Sequence, residues 1–195
     1  MDVVIIEDQA IIADSIQLDF DNCSNKTLSV TVLSSIDEIQ SFDFSNTRYI
    51  VSDLYLGTSI YDTFIALREV KSLFPQISIS IFTQSTEVSL LPALLSVINA
   101  DHLFCKRFDN HIAHTVLNGP TQTFTAPSQD VKRANRLLNL DSNTQSIFQL
   151  LASNFNVTSI ALEKNRSKSS ISQVLRRAEV NICSKEKLMR LFQRD

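Results

Sequence analysis

Apolar positions come in short blocks over the first two-thirds of the chain. Five blocks have strand length, near residues 3–7, 28–34, 48–53, 77–83 and 102–106, and are rich in Val, Ile, Leu and Phe. The segments between them have helical spacing. Residues 10–20 carry Ile11, Ile12, Ser15, Ile16 and Asp19 at that period, and 36–41 form a shorter piece. Residues 60–74 place Ile60, Phe64, Ile65, Leu67, Val70 and Leu73 on one broad face, and 87–100 and 110–117 complete the set. This alternation predicts a parallel, three-layer α/β domain with right-handed crossovers.

The pattern breaks at 118–130, where Gly119, Pro120 and Pro127 sit among Thr, Ser and Gln. Beyond it the periodicity is helical throughout: 131–138, 144–152, 157–165, 168–180 and 185–193. The chain therefore divides into residues 1–118, a linker at 119–135 and a small all-α unit at 136–195.

Polar residues of a particular kind end the apolar blocks. Glu7 and Asp8 follow the first, Asp53 the third, Thr83 the fourth and Lys106 the fifth. Strand carboxyl ends gather at one edge of a parallel sheet, where ligands bind. Three acids, a hydroxyl and a lysine at that edge make a site for a divalent cation and a phosphoryl group.

These five residues, in this order, resemble the receiver domain of bacterial two-component response regulators. The resemblance covers about residues 1–118 and implies a flavodoxin-like, doubly wound fold with a five-stranded parallel sheet. It makes Asp53, which opens Asp-Leu-Tyr-Leu-Gly, the phosphoacceptor, with Thr83 and Lys106 assisting. It implies Mg²⁺ held by Glu7, Asp8, Asp53 and the Tyr55 carbonyl, and a sensor histidine kinase as phosphoryl donor. The chemistry agrees, because Mg²⁺ takes hard oxygen ligands and phosphoryl transfer is chiefly positioning and charge stabilisation. Three positions depart from the family. Gln84 stands where many receivers carry a small residue, Leu103 where the switch aromatic usually lies, and Arg107 where proline or a small polar residue is common.

The tail has its own signature. Two short helices at 144–152 and 157–162 flank Ser153-Asn154-Phe155-Asn156, where an asparagine can take the left-handed φ usually given to glycine. In the following helix, capped by Ser167, Ile171, Val174, Leu175 and Ala178 form one buried stripe. Ser169, Ser172, Gln173 and Arg176 lie opposite, flanked by Arg177. This resembles a helix-turn-helix, and its placement resembles the output domain of the NarL/LuxR type. The resemblance implies binding to double-stranded DNA, commonly as a homodimer. Gln173 and Arg176 suit base edges, whereas Lys164, Arg166, Lys168 and Arg177 suit phosphates.

Charge sharpens this division. Residues 1–130 carry 6 Lys/Arg against 16 Asp/Glu, and residues 131–195 carry 12 against 5, so a net of −3 conceals an acidic body and a basic tail. Two glycines, Gly57 and Gly119, are too few for a Gly-rich nucleotide loop. Cys23, Cys105 and Cys183 form neither a disulfide framework nor a metal knuckle, and His102, His111 and His114 lack ligand spacing and read as surface or helix residues. No apolar run approaches the ~20 residues of a membrane span, and the N-terminus lacks signal-peptide character, so a cytoplasmic protein is expected.

The expectation is a phosphorylation-regulated transcriptional regulator rather than a turnover enzyme. The alternatives are a degenerate receiver working without phosphorylation, or a receiver whose helical tail binds protein or RNA. A Mg²⁺-dependent phosphatase with an aspartyl nucleophile is a further rival, although Asp53-Leu-Tyr lacks the second aspartate of the usual Asp-x-Asp motif.

Overall fold

The structure is a computed structural model that describes residues 2–23, 28–57, 59–84, 88, 90–109 and 111–193. Five strands form one parallel sheet: β1 (Val3–Ile6), β2 (Val30–Leu33), β3 (Tyr49–Ser52), β4 (Ser78–Thr83) and β5 (His102–Cys105), in the spatial order β2-β1-β3-β4-β5. All four residues of β1 are buried, as a central strand covered on both faces requires. Successive side chains point to opposite faces. Val4, Ile6, Ile50, Ile79 and Ile81 therefore feed one core, and Val3, Ile5, Val51, Phe82 and Phe104 the other.

Helices α1 (Ala10–Cys23) and α5 (Ala113–Asn118) pack against each other over the second core. Helices α2 (Ile36–Ser41), α3 (Ile60–Leu73) and α4 (Leu91–Val97) cover the first. Ser35 and Ser59 cap α2 and α3 by accepting the Glu38 and Asp62 N–H groups at 3.3 and 3.2 Å. Two helices begin later than their apolar periodicity suggests. In α4 the pattern holds from 87, but Leu90 at φ 62° interrupts the backbone just before the first turn. Residues 85–87, 89 and 110, which the expected helices 87–100 and 110–117 include in part, lie outside the described residues.

The chain after α5 is extended and then coils into α6 (Ser128–Leu138), which starts inside the span expected as linker. Four helices follow: α7 (Ser142–Ala152), α8 (Val157–Glu163), α9 (Lys168–Asn181) and α10 (Lys185–Phe192). Asp141, Asn156 and Ser167 cap α7, α8 and α9. Asn154 takes φ 65°, the left-handed turn expected between α7 and α8.

The two halves share a core. Helix α6 packs on α4 and α3, and α10 packs on α7 and α3. Tyr61 of α3 stacks on Phe192 of α10 with ring centroids 4.4 Å apart, and Phe192 stacks on Phe148 of α7 at 5.4 Å. This junction corrects the expected face of α3. Leu73 is 75% exposed, while Tyr61 and Ala66 are buried, because α3 is covered by the sheet on one side and by neighbouring helices on another. His102 is a second correction. It is a buried strand residue, 1% exposed, with Nδ1 3.1 Å from Ser80 Oγ and Nε2 3.3 Å from the Pro120 carbonyl. It thus fixes the start of the connecting segment to β5.

Candidate functional site

Strand register brings the polar chain ends together. Ile6 lies opposite both Leu33 and Ser52, so Glu7 and Asp53 leave the sheet side by side. Their N–H groups continue the ladder to the carbonyls of Leu33 and Ile6, both at 2.9 Å. Thr83 pairs with Cys105, and the Lys106 N–H reaches the Thr83 carbonyl at 2.9 Å.

Lys106 bridges the acids. Its Nζ donates to Glu7 Oε2 at 2.5 Å and to Asp53 Oδ2 at 2.7 Å, with a side-chain exposure of 6%. It also lies 5.9 Å from the centroid of the Phe82 ring. Asp53 Oδ1 accepts the Leu54 N–H at 2.6 Å, and Glu7 Oε1 the Gln9 N–H at 3.2 Å. One carboxylate oxygen from each of Glu7, Asp8 and Asp53 lies within 4.8 Å of the other two. Glu7 and Asp53 are buried, whereas Asp8 faces solvent. Three hard oxygen donors at such spacing, with one open to water, fit an ion that keeps part of its hydration shell.

Thr83 is fully buried, and its Oγ1 has no hydrogen-bond partner among the described residues. Tyr55 is half-buried, two residues beyond Asp53. Gly57 turns the same loop at φ 64°, a conformation that favours glycine. Of the three departures from the receiver pattern, Gln84 and Arg107 are exposed and Leu103 is half-buried.

Burial pushes the Glu7 and Asp53 carboxyls above their ordinary range, against the opposing pull of Lys106. A carboxyl whose folded pKa exceeds its unfolded value contributes stability at low pH that is lost as pH rises through the folded value. A divalent cation on these oxygens would offset that loss. At neutral pH, Mg²⁺ at about 100 times its dissociation constant is expected to stabilise the wild-type chain by about 2.7 kcal/mol. As pH falls and these acids take up protons, the effect is expected to fade. Thermal unfolding with and without Mg²⁺ across a pH series reads both.

The tail presents a second polar surface. In α9, Ile171, Leu175 and Ala178 are buried and Val174 is half-buried, while Ser169, Ser172, Gln173, Arg176 and Arg177 are all exposed. The receiver-side helices α3 and α4 pack on α6 and α10, and α9 packs chiefly on α8. The outward face of α9 thus remains open in the docked arrangement. Arg166 and Lys168 are exposed beside its start. Lys164 differs from expectation: half-buried, it donates to Ser146 Oγ and ties the end of α8 to α7. Sequence reasoning missed the residues at the domain junction, Tyr61, Arg68, Arg136 and Phe192. A phenylalanine or arginine on an amphipathic helix carries no motif that names its partner.

No protein-family model matches the chain, and no curated protein does. Solved structures do match. An RcsB response regulator from Salmonella typhimurium aligns at 19% identity and TM-score 0.57, covering 98% of this chain and 96% of that one. An RcsB–DNA complex aligns at 18% identity and TM-score 0.55, covering 99% and 98%. The isolated receiver domain of RcsB from Salmonella enterica serovar Typhimurium, in the presence of the phosphomimetic BeF3-, aligns at 21% identity and TM-score 0.50, covering 71% of this chain and 99% of that one. Among the described residues no helix is long and apolar enough to cross a membrane. In fold, the chain is a flavodoxin-like, five-stranded parallel α/β unit joined to a helical unit, similar to the RcsB structures over nearly its whole length.

Proposed function

We propose that this protein is a phosphorylation-regulated, DNA-binding transcriptional regulator that accepts a phosphoryl group on Asp53. The observation that carries this reading is Lys106 held between Glu7 and Asp53, with Asp8 beside them. The donor is a sensor histidine kinase. An Asp53 oxygen bonds to phosphorus as the P–N bond of a phosphohistidine breaks, and the imidazole leaves with a proton. The Glu7, Asp8 and Asp53 carboxylates and the Tyr55 carbonyl would hold Mg²⁺, which would supply charge neutralisation for the incoming oxygens. Lys106 holds a phosphoryl oxygen as a point charge. The Thr83 hydroxyl, without a partner among the described residues, is a ready hydrogen-bond donor to another. Asp53 is thus a phosphoacceptor rather than a turnover catalyst.

The output is double-stranded DNA. Support comes from the basic charge of the tail, the exposed polar face of α9 and a fold shared with RcsB, whose structures include two dimers bound to two parallel DNAs. Gln173 and Arg176, both exposed on α9, are the residues assigned to base edges. Arg177, Arg166 and Lys168 take phosphates. The active form is expected to be a homodimer reading paired half-sites. Replacing Gln173 or Arg176 by alanine is expected to cost about 1–3 kcal/mol of binding to a preferred duplex and to relax its sequence preference. Replacing Lys168 is expected to weaken all duplexes alike and to lower the salt slope by about one. Fluorescence anisotropy across a salt series measures both. A tail that binds RNA or protein instead would show no duplex preference in the same titration. The location of such a regulator is the cytoplasm.

A further inference from the structure

Helix α6 touches both halves of the molecule. Its buried face, Ala134, Leu137 and Leu138, lies in the core common to the sheet and the output helices. Its last turn is tied to the receiver, where Arg68 Nη1 of α3 donates to Asn139 Oδ1 at 3.2 Å. On the output side, Arg136 Nη1 reaches the Asn181 carbonyl at 3.3 Å and its Oδ1 at 3.4 Å. Asn181 is the last residue of α9, and its Nδ2 donates to the Arg177 carbonyl at 2.7 Å. Arg136 therefore places a cation at the negative end of the α9 dipole. The two residues assigned to base edges, Gln173 and Arg176, lie nearer the start of α9.

The receiver end of this connection lies close to the phosphoryl pocket in the chain. Helix α6 packs on α4, which follows β4, and β4 ends in Thr83. The contacts run from α4 through α6 to the end of α9. Masking is a poor alternative, since the outward residues of α9 are already exposed with the halves docked.

Resting on the phosphorylation reading above, we propose that α6 is the strut that transmits the state of Asp53 to α9, with Arg136 as the positioning residue that locks the recognition helix to it. The state of the pocket sets the angle at which α9 is held, and so the fit of two output units on paired half-sites. A single guanidinium nitrogen, Nη1, meets both the Asn181 carbonyl and its side-chain oxygen. The contact is exposed, so its loss should alter coupling rather than folding.

The test is amide hydrogen exchange on the full chain, with and without beryllofluoride and Mg²⁺, for wild type, Arg136→Ala, Arg136→Lys and Arg68→Ala. In the wild type, exchange at the end of α9 is expected to change by about fivefold or more on adding beryllofluoride. The Ile182 N–H, bonded to the Ala178 carbonyl at 2.8 Å, is the reporter. Arg136→Ala should shrink that change to within about twofold while sheet amides respond as in the wild type, Arg136→Lys should recover part of it, and Arg68→Ala should reduce it from the receiver side. An unaltered response in Arg136→Ala overturns the strut, as does a wild type whose sheet responds while α9 does not. No response anywhere overturns both the strut and the phosphorylation reading. A coupled response at α9 in a chain without affinity for duplex DNA upholds the strut and overturns the DNA reading.

Discussion

Incubated with acetyl phosphate and Mg²⁺, the wild-type chain is expected to gain one phosphoryl group, and Asp53→Ala none. The loss should be complete rather than partial, since no other carboxylate in the pocket is placed as Asp53 is. Glu7 is buried against the same lysine and takes the Gln9 N–H, while Asp8 faces water. Intact mass spectrometry reads the transfer directly. A stoichiometric adduct without continued release of product separates a phosphoacceptor from an aspartyl-phosphate phosphatase, which would consume the donor catalytically. A wild type that takes up no phosphate would overturn the switch and leave a degenerate receiver. Gln84 at the rim and Leu103 in place of an aromatic are the residues that would then account for it. Lys106→Ala tests the same pocket from the other side. It removes the charge that holds two buried carboxylates, and so should impair folding as well as transfer.

Phe192→Ala is expected to lower stability by about 3–5 kcal/mol. For a chain of this size each kilocalorie corresponds to about 2–4 °C in the thermal midpoint. Phe192 is 2% exposed and lies between Tyr61 of the receiver and Phe148 of the output unit. The substitution opens a cavity at the seam, and the surrounding rings cannot collapse without pulling α10 from α3. Burial pushes the Tyr61 phenol up to about 12, and its hydroxyl has no hydrogen-bond partner among the described residues. This ring serves packing rather than proton chemistry. Circular dichroism melts of the full chain measure the shift. A change of only a few tenths of a kilocalorie would mean that the two halves are not held together by this stack.

The strands were legible because each is short, apolar and bounded by polar residues, and expected and observed bounds differ by a residue or two at either end. The five polar residues of the pocket were legible for the same reason: a parallel sheet sends its strand ends to one edge. Helix limits were read less well where a local backbone choice intervenes, as Leu90 does at the start of α4. Faces were misread where a residue meets something distant in sequence. Leu73 carries the right period yet lies in solvent, and His102 looked ordinary yet is a buried strand residue joined to Ser80 and Pro120. Lys164 looked like a phosphate ligand and is tied to Ser146.

From its own order of residues the chain determined the sheet, the acidic edge, the asparagine turn and the polar stripe of α9, because each follows from local periodicity and from what a strand end or a helix cap requires. Tertiary structure alone decided that Lys106 bridges Glu7 and Asp53, that α3 faces the output unit through Tyr61, and that Arg136 meets the end of α9. Those contacts join residues far apart in the chain, and side-chain identity does not encode a partner until the folded backbone brings the two within a few ångströms.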